Sequence, residues 1–206
     1  MIVTKVVKKR SKVTVYFDNE ESLVIPYELF LKNTLFVDDV LTEEEINKLN
    51  DKVEIYKIKQ SSFVYLSGRN HSKYELKLKL LKKSYNKHLI NFVLSDLQRL
   101  NYLDDREFAK QYINAKLKKK KGIRLIKLEL SKKGVRREII EEVSAKFLDD
   151  PRMKEAAKFL SEKKLKVLQR KDQTNLQIKQ KLFSFLSNKG FTTEIVKEAI
   201  NNLKLD

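Results

Sequence analysis

Six apolar positions of this chain return twice more, in register. Leu76, Leu80, Leu89, Ile90, Val93 and Leu97 become Ile126, Leu130, Ile139, Ile140, Val143 and Phe147 on adding 50 to the residue number. Adding a further 56 gives Leu182, Leu186, Ile195, Val196, Ala199 and Leu203. The punctuation repeats too: Lys83-Ser84-Tyr85, Lys133-Gly134-Val135 and Lys189-Gly190-Phe191 fall at one place in the pattern. A period of this size carries one small supersecondary element that buries its apolar side against itself and its neighbours. The chain is therefore predicted to be mainly α, with three tandem three-helix repeats forming an elongated curved array. Such arrays offer long surfaces to other macromolecules and rarely enclose a small-molecule pocket.

Within each repeat the apolar spacing is helical on both sides of the punctuation. Gly134 and Gly190 suit the left-handed residue just past a helix end. Ser84 stands there in the first copy and needs a costlier conformation or a different turn. Ser72-Lys73-Tyr74-Glu75 reads as a capping box opening the middle helix of that copy. A further helix precedes each pair, over about Ser61–Ser67, Asp104–Leu117 and Pro151–Val167, the second capped by Asp104 with Glu107 three residues on. The repeats are expected at 61–103, 104–150 and 151–206.

Residues 1–60 read as a separate N-terminal α/β module. Lys12–Phe17 and Ser22–Ile25 are β-branched and aromatic runs around a polar turn, which predicts a β-hairpin, with Met1–Lys8 as a third strand. Pro26 lacks the donor that a ladder needs and ends the second run. A helix over Leu41–Leu49 is opened by Thr42 and Glu45, which can cap each other's free amides.

Charge is placed unevenly along the 206 residues. The first 60 carry 10 basic and 11 acidic side chains; the rest carry 35 and 17. Such an excess repels itself unless a polyanion or an acidic surface offsets it, though a lysine-rich solubilising face reads the same way. There is no Cys, which excludes disulfides, thiol nucleophiles and Cys-based zinc sites, and two His make a catalytic metal centre improbable. No metal, no cofactor and no catalytic residue is expected: the sequence has no Gly-rich phosphate loop and no nucleophile–base pair. No apolar stretch is long enough for a membrane span, and the start lacks the apolar run of a signal peptide, so a soluble cytoplasmic protein is expected.

The segment Leu100-Asn101-Tyr102-Leu103-Asp104-Asp105-Arg106-Glu107-Phe108-Ala109 resembles the aromatic-Leu-Asp-Asp-x-x-Phe-Ala signature of the RecX regulatory proteins, modulators of the RecA recombinase. Lys118–Lys121 with Gly122-Ile123-Arg124, followed by Glu129-Leu130-Ser131-Lys132-Lys133-Gly134, is similar to that family's basic-Gly entry and Glu-Leu-x-x-Lys-Gly exit. The pattern from Arg69 through Ser72, Glu75, Leu76 and Lys79 to Leu80 resembles the first repeat's. Two departures stand: Ser84 replaces the usual Gly, and the first helix of the third repeat keeps little beyond its apolar face. The resemblance implies a non-enzymatic regulator lying in the groove of a RecA–DNA filament. There it would impede ATP hydrolysis, strand exchange and coprotease activity in recombination, DNA repair and the SOS response.

In Tyr102-Leu103-Asp104-Asp105-Phe108, the residues read mainly as structural: Leu103 and Phe108 staple a helix start that Asp104 caps, and Asp105 is left exposed. The densest basic run holds Lys116, Lys118, Lys119, Lys120, Lys121 and Arg124, extended by Lys127, Lys132, Lys133, Arg136 and Arg137. A charge run is usually a solvated face, but eleven cations against Glu129 and Glu138 favour contact with phosphates of single- or double-stranded DNA. Lysine is a poor bidentate group, so readout of base sequence is not expected. Tyr65, Tyr74, Tyr85, Tyr102 and Tyr112 could stack on bases, although Tyr85 shares its repeat position with Val135 and Phe191 and reads as core. Gly122 and Gly134 belong to the structural set. The alternative to a RecA regulator is a DNA-binding protein, indifferent to sequence, that acts without RecA. A monomer is expected.

Overall fold

Alternating valines build the N-terminal sheet of the protein, seen in a computed structural model that describes residues 1–170 and 173–203. Strands β1 (Val3–Lys9), β2 (Lys12–Phe17) and β3 (Ser22–Pro26) pair antiparallel in the order β1-β2-β3. Every second residue of β2 (Val13, Val15 and Phe17) is buried, and Val15 lies opposite Val6 on one side and Leu23 on the other. The third strand and the hairpin are thus as the sequence predicts. Pro26 closes β3 and leads into a single helical turn, α1 (Tyr27–Phe30). The buried side of the sheet packs on Ile46, Leu49 and Val53 of α2 (Glu43–Gly68).

The capping box at Thr42 is present: the Glu45 N–H donates to the Thr42 hydroxyl at 3.2 Å, and the Thr42 N–H to the Glu45 carboxylate at 2.8 Å. Helix α2 corrects one expectation. It runs unbroken to Gly68, where the sequence reading ends a helix at Leu49 and starts another at Ser61. No Gly or Pro interrupts residues 42–67, and Val53, Ile58, Ser61 and Ser62 carry the buried face onward from Ile46 and Leu49. Nothing stops the helix. The sheet module and the first repeat therefore share one helix.

The remaining helices are α3 (Lys73–Leu81), α4 (Lys87–Arg99), α5 (Asp105–Lys118), α6 (Ile123–Lys132), α7 (Arg137–Ala145), α8 (Pro151–Leu168), α9 (Asn175–Asn188) and α10 (Thr193–Asn201). The fold is mainly helical with one small sheet. Of the eighteen repeat positions sixteen are buried; Phe147 and Leu203 are partly buried against the same core. Asp104 caps α5 through the Arg106 N–H at 2.7 Å, and Asp150 caps α8 through the Arg152 N–H at 3.0 Å. Two compact units result, one of residues 1–69 and 76–102, the other of 70–75 and 103–206.

All three repeat turns use the left-handed conformation: φ is 72° at Gly134, 88° at Gly190 and 59° at Ser84. Ser84 thus takes the costlier of the two routes open to it. Inside the second unit the glycine turns also serve as docking points. The Gly122 N–H donates to the Lys189 carbonyl at 2.8 Å and the Arg124 N–H to the Gly190 carbonyl at 2.9 Å. A Cβ on Gly122 would lie 2.1 Å from the Gly190 carbonyl carbon. At the other turn the Ser72 hydroxyl donates to the Lys133 carbonyl at 2.6 Å, and a Cβ on Gly134 would lie 2.3 Å from that of Tyr74. Ser72 also accepts the Glu75 N–H at 3.1 Å, as its capping role requires.

Candidate nucleic-acid interface

The basic segment begins where α5 runs out. Lys118 is its last residue and Lys119 its C-terminal cap, a position where cations are favoured by the helix dipole. Lys120 turns the chain with φ at 56°, and Gly122 caps the start of α6. Helix α6 buries Ile123, Ile126 and Leu130, which leaves Arg124, Leu128 and Lys132 as an exposed stripe at i, i+4 and i+8. The turn at Gly134 then brings Arg136 and Arg137 to the start of α7.

Five of the eleven cations are tied into the fold. Glu129 accepts Lys121 and, at 2.7 Å, the Tyr112 hydroxyl, with the Lys116 ammonium 3.7 Å away. Burial pushes the Glu129 carboxyl up, but the bonds from Lys121 and Tyr112 and the charges of Lys121 and Lys116 outweigh it and hold it below its usual range. Lys127 pairs with Glu141 at 2.6 Å and Lys133 with Glu75 at 2.5 Å. Lys120 lays its ammonium 3.2 Å over the ring of Phe159.

The other six (Lys118, Lys119, Arg124, Lys132, Arg136 and Arg137) are exposed and make no ion pair among the described residues. Arg124 does lie in the field of Glu194, whose carboxyl is held low by its own N–H and the Thr192 hydroxyl, with the charge of Arg124 adding to both. The amides that open α6 are spent on the Lys189 and Gly190 carbonyls, so they cannot receive a phosphate. Helix α7 differs: no side chain caps it, and two arginines stand at its first positions, against the helix dipole. An anion placed there would relieve both groups.

The signature residues divide. Leu103 and Phe108 are buried at the staple positions around Asp104. Asp105, expected to be exposed, is partly buried and accepts the Lys73 N–H at 2.8 Å. Tyr102 is 57 % exposed with its ring edge-on to Phe63 at 5.2 Å. The partners that sequence reasoning did not supply are Glu75, Glu141, Tyr112 and Phe159. They stand 14 to 58 residues from the lysines that they engage, apart from the Tyr112–Lys116 pair at one helical turn. That i, i+4 pair is the one signal the sequence held. No group of three or more Asp, Glu or His that could hold a metal lies among the described residues. Nor, among them, is any helix long and apolar enough to cross a membrane.

Comparison with known proteins bears on the family and the fold. Residues 104–143 match the family model of the second three-helix domain of RecX, and residues 153–200 that of the third. The chain is 32 % identical to a regulatory protein RecX of Clostridium botulinum, over 97 % of this chain and 96 % of that one. It is similar in fold to a crystal structure of regulatory protein RecX, with a TM-score of 0.80, 20 % identity and coverage of 98 % of this chain and 99 % of the other. A crystal structure of RecX from Lactobacillus salivarius matches 74 % of this chain and 98 % of its own, with a TM-score of 0.67 and 26 % identity.

Proposed function

The chain belongs to the RecX family, and on that premise we propose that it regulates RecA by binding the RecA–DNA filament. The expected effect is to slow ATP hydrolysis, strand exchange and coprotease activity. The observation that carries the DNA side of this reading is the division of the basic segment. Six cations on one repeat are left without acids while their neighbours are paired. Fixed pairs rigidify the segment, and the unpaired six meet a polyanion without first losing internal partners. Five of the six (all but Arg124) stand at a helix end or its cap, where the backbone fixes their placement. Contacts of this type are to phosphates, so affinity tracks charge and salt rather than base sequence. The RecA side of the reading is supported by family membership.

The test is the single-strand-DNA-dependent ATPase of the cognate RecA, titrated with this protein far below saturation of the DNA. Inhibition at substoichiometric levels supports action on filaments, because competition for DNA cannot produce it. An effect that begins only when the DNA is covered overturns the filament reading and leaves a DNA-binding protein acting alone. The variant Lys119→Glu/Arg136→Glu/Arg137→Glu should lose binding to bare DNA yet keep measurable affinity for RecA-coated DNA.

A further inference from the structure

We infer that a cavity in the first unit, between the sheet module and α2, takes nucleotides of single-stranded nucleic acid, which deepens the reading above by adding a second site of DNA contact. The cavity has a volume of about 680 Å³, within the range of built ligand sites. Its wall carries Tyr27, Tyr56 and Tyr85, with Lys12, Lys57 and Gln60 around them. Aromatic faces that stack bases, flanked by cations that hold phosphates, are what a single strand requires. In a duplex the base faces are already stacked and out of reach.

Three observations distinguish this wall from ordinary packing. Tyr85 occupies the repeat position of Val135 and Phe191, which are 5 % and 1 % exposed; Tyr85 is only partly buried and faces the cavity. Two of the rings are held by their hydroxyls, Tyr56 donating to Glu28 at 3.1 Å and Tyr85 hydrogen-bonded to Ser61 at 3.1 Å. Glu28 is the one acid in the wall, and its carboxylate is engaged by that bond. The cations are the reverse: Lys12 and Lys57 are exposed and make no ion pair among the described residues. Lys8 lies 3.6 Å over one face of Tyr27, and Lys83 donates to Ser61 at 3.1 Å, so lysines outnumber the single acid of the wall. The Gln60 side chain hydrogen-bonds the Tyr56 hydroxyl and so helps to fix that ring.

The experiment uses the full chain and an oligothymidylate carrying 5-iodouracil, irradiated and mapped by mass spectrometry. The chain has no Trp, and the mapping must separate its 8 Tyr from its 11 Phe. Crosslinks are expected on Tyr27, Tyr56 or Tyr85, and their absence from all three overturns the proposal. Tyr56→Leu and Tyr85→Val, the latter installing the residue that the second repeat already has, should each weaken single-strand binding about tenfold and leave duplex binding unchanged. Lys12→Gln and Lys57→Gln should each reduce the log–log salt slope by about 0.7. Unchanged single-strand affinity in variants with unchanged melting temperature also overturns it. Displacement of the oligonucleotide by free thymidine monophosphate at equal nucleotide concentration would assign the cavity to a soluble nucleotide instead. The two sites fail separately: Arg136→Glu/Arg137→Glu without loss of duplex binding removes the α7 site, whereas tyrosine crosslinks that persist keep the cavity.

Discussion

Replacing Gly122 by Ala adds one methyl group at the tightest point of the second unit. The new Cβ would fall 2.1–2.2 Å from the Gly190 carbonyl carbon, its oxygen and the Phe191 nitrogen, all backbone atoms with no side chain to swing away. The φ of Gly122 is −77°, so the residue itself is not strained by the change; the cost lies in the neighbour. To make room, the turn at Gly190 must withdraw from α6, and the hydrogen bonds Gly122 N–H to Lys189 and Arg124 N–H to Gly190 lengthen or break. Two such bonds contribute about 1–3 kcal/mol together, and overpacking a close junction costs about 1–3 more. The expected loss is about 2–6 kcal/mol, or about 4–24 °C in Tm for a chain of this size. Urea unfolding followed by circular dichroism measures it. Gly68→Ala is the matched control, because a Cβ there meets nothing within 4 Å at the end of α2. That change should be neutral or stabilising by about 0.4–1 kcal/mol through the unfolded chain. The same methyl group is thus predicted to act with opposite sign at two glycines. A loss below about 0.5 kcal/mol at Gly122, or equal shifts at both, refutes the docking argument.

Ser84→Gly should stabilise the protein by about 0.5–1 kcal/mol, since it relieves a non-glycine φ of 59°; a lower urea midpoint would contradict this. Glu129→Gln should cost about 1–2 kcal/mol at neutral pH by stranding Lys116 and Lys121. The native carboxyl titrates below its ordinary value, so the stability it supplies is present above about pH 4.5 and is lost as pH falls through the native pKa. The gap between wild type and variant should therefore close on acidification, and a gap that widened would contradict the ion-pair assignment. Arg136→Gln/Arg137→Gln should reduce the log–log salt slope of duplex binding by about 2 with little change in Tm, read by fluorescence anisotropy across a salt series.

The repeat was legible because its signal is the property that physics selects most strongly, the burial of apolar side chains at fixed spacing. The caps at Thr42 and Asp104 were legible for a like reason, being local bonds between residues two to three apart. What sequence missed was either an absence or a tertiary meeting. The continuity of α2 through residues 50–60 rests on nothing being there to stop it. The division of the basic segment rests on Glu75 and Glu141, brought to Lys133 and Lys127 by the fold. Composition alone could show that cations outnumbered acids there. It could not show which cations the acids would take.

The glycine turns show what the repeat position demands of its residue. Gly134 and Gly190 each lack a Cβ for two reasons, a positive φ and a helix start seated against them. At Gly190 an added Cβ would sit 2.4 Å from that of Leu125. Ser84 shares the first constraint, with φ at 59°, but is exposed. The cost of its φ is modest, and its Cβ would obstruct a helix seated as α6 is seated on Gly190. The third repeat differs at the position that matches Gly122. Adding 56 to Gly122 gives Ile178, buried at 4 %, and α9 begins at Asn175, nearly a turn ahead of it, under its own Thr174–Gln177 capping box. The place of that glycine is taken there by a side chain that packs into the core of its own unit.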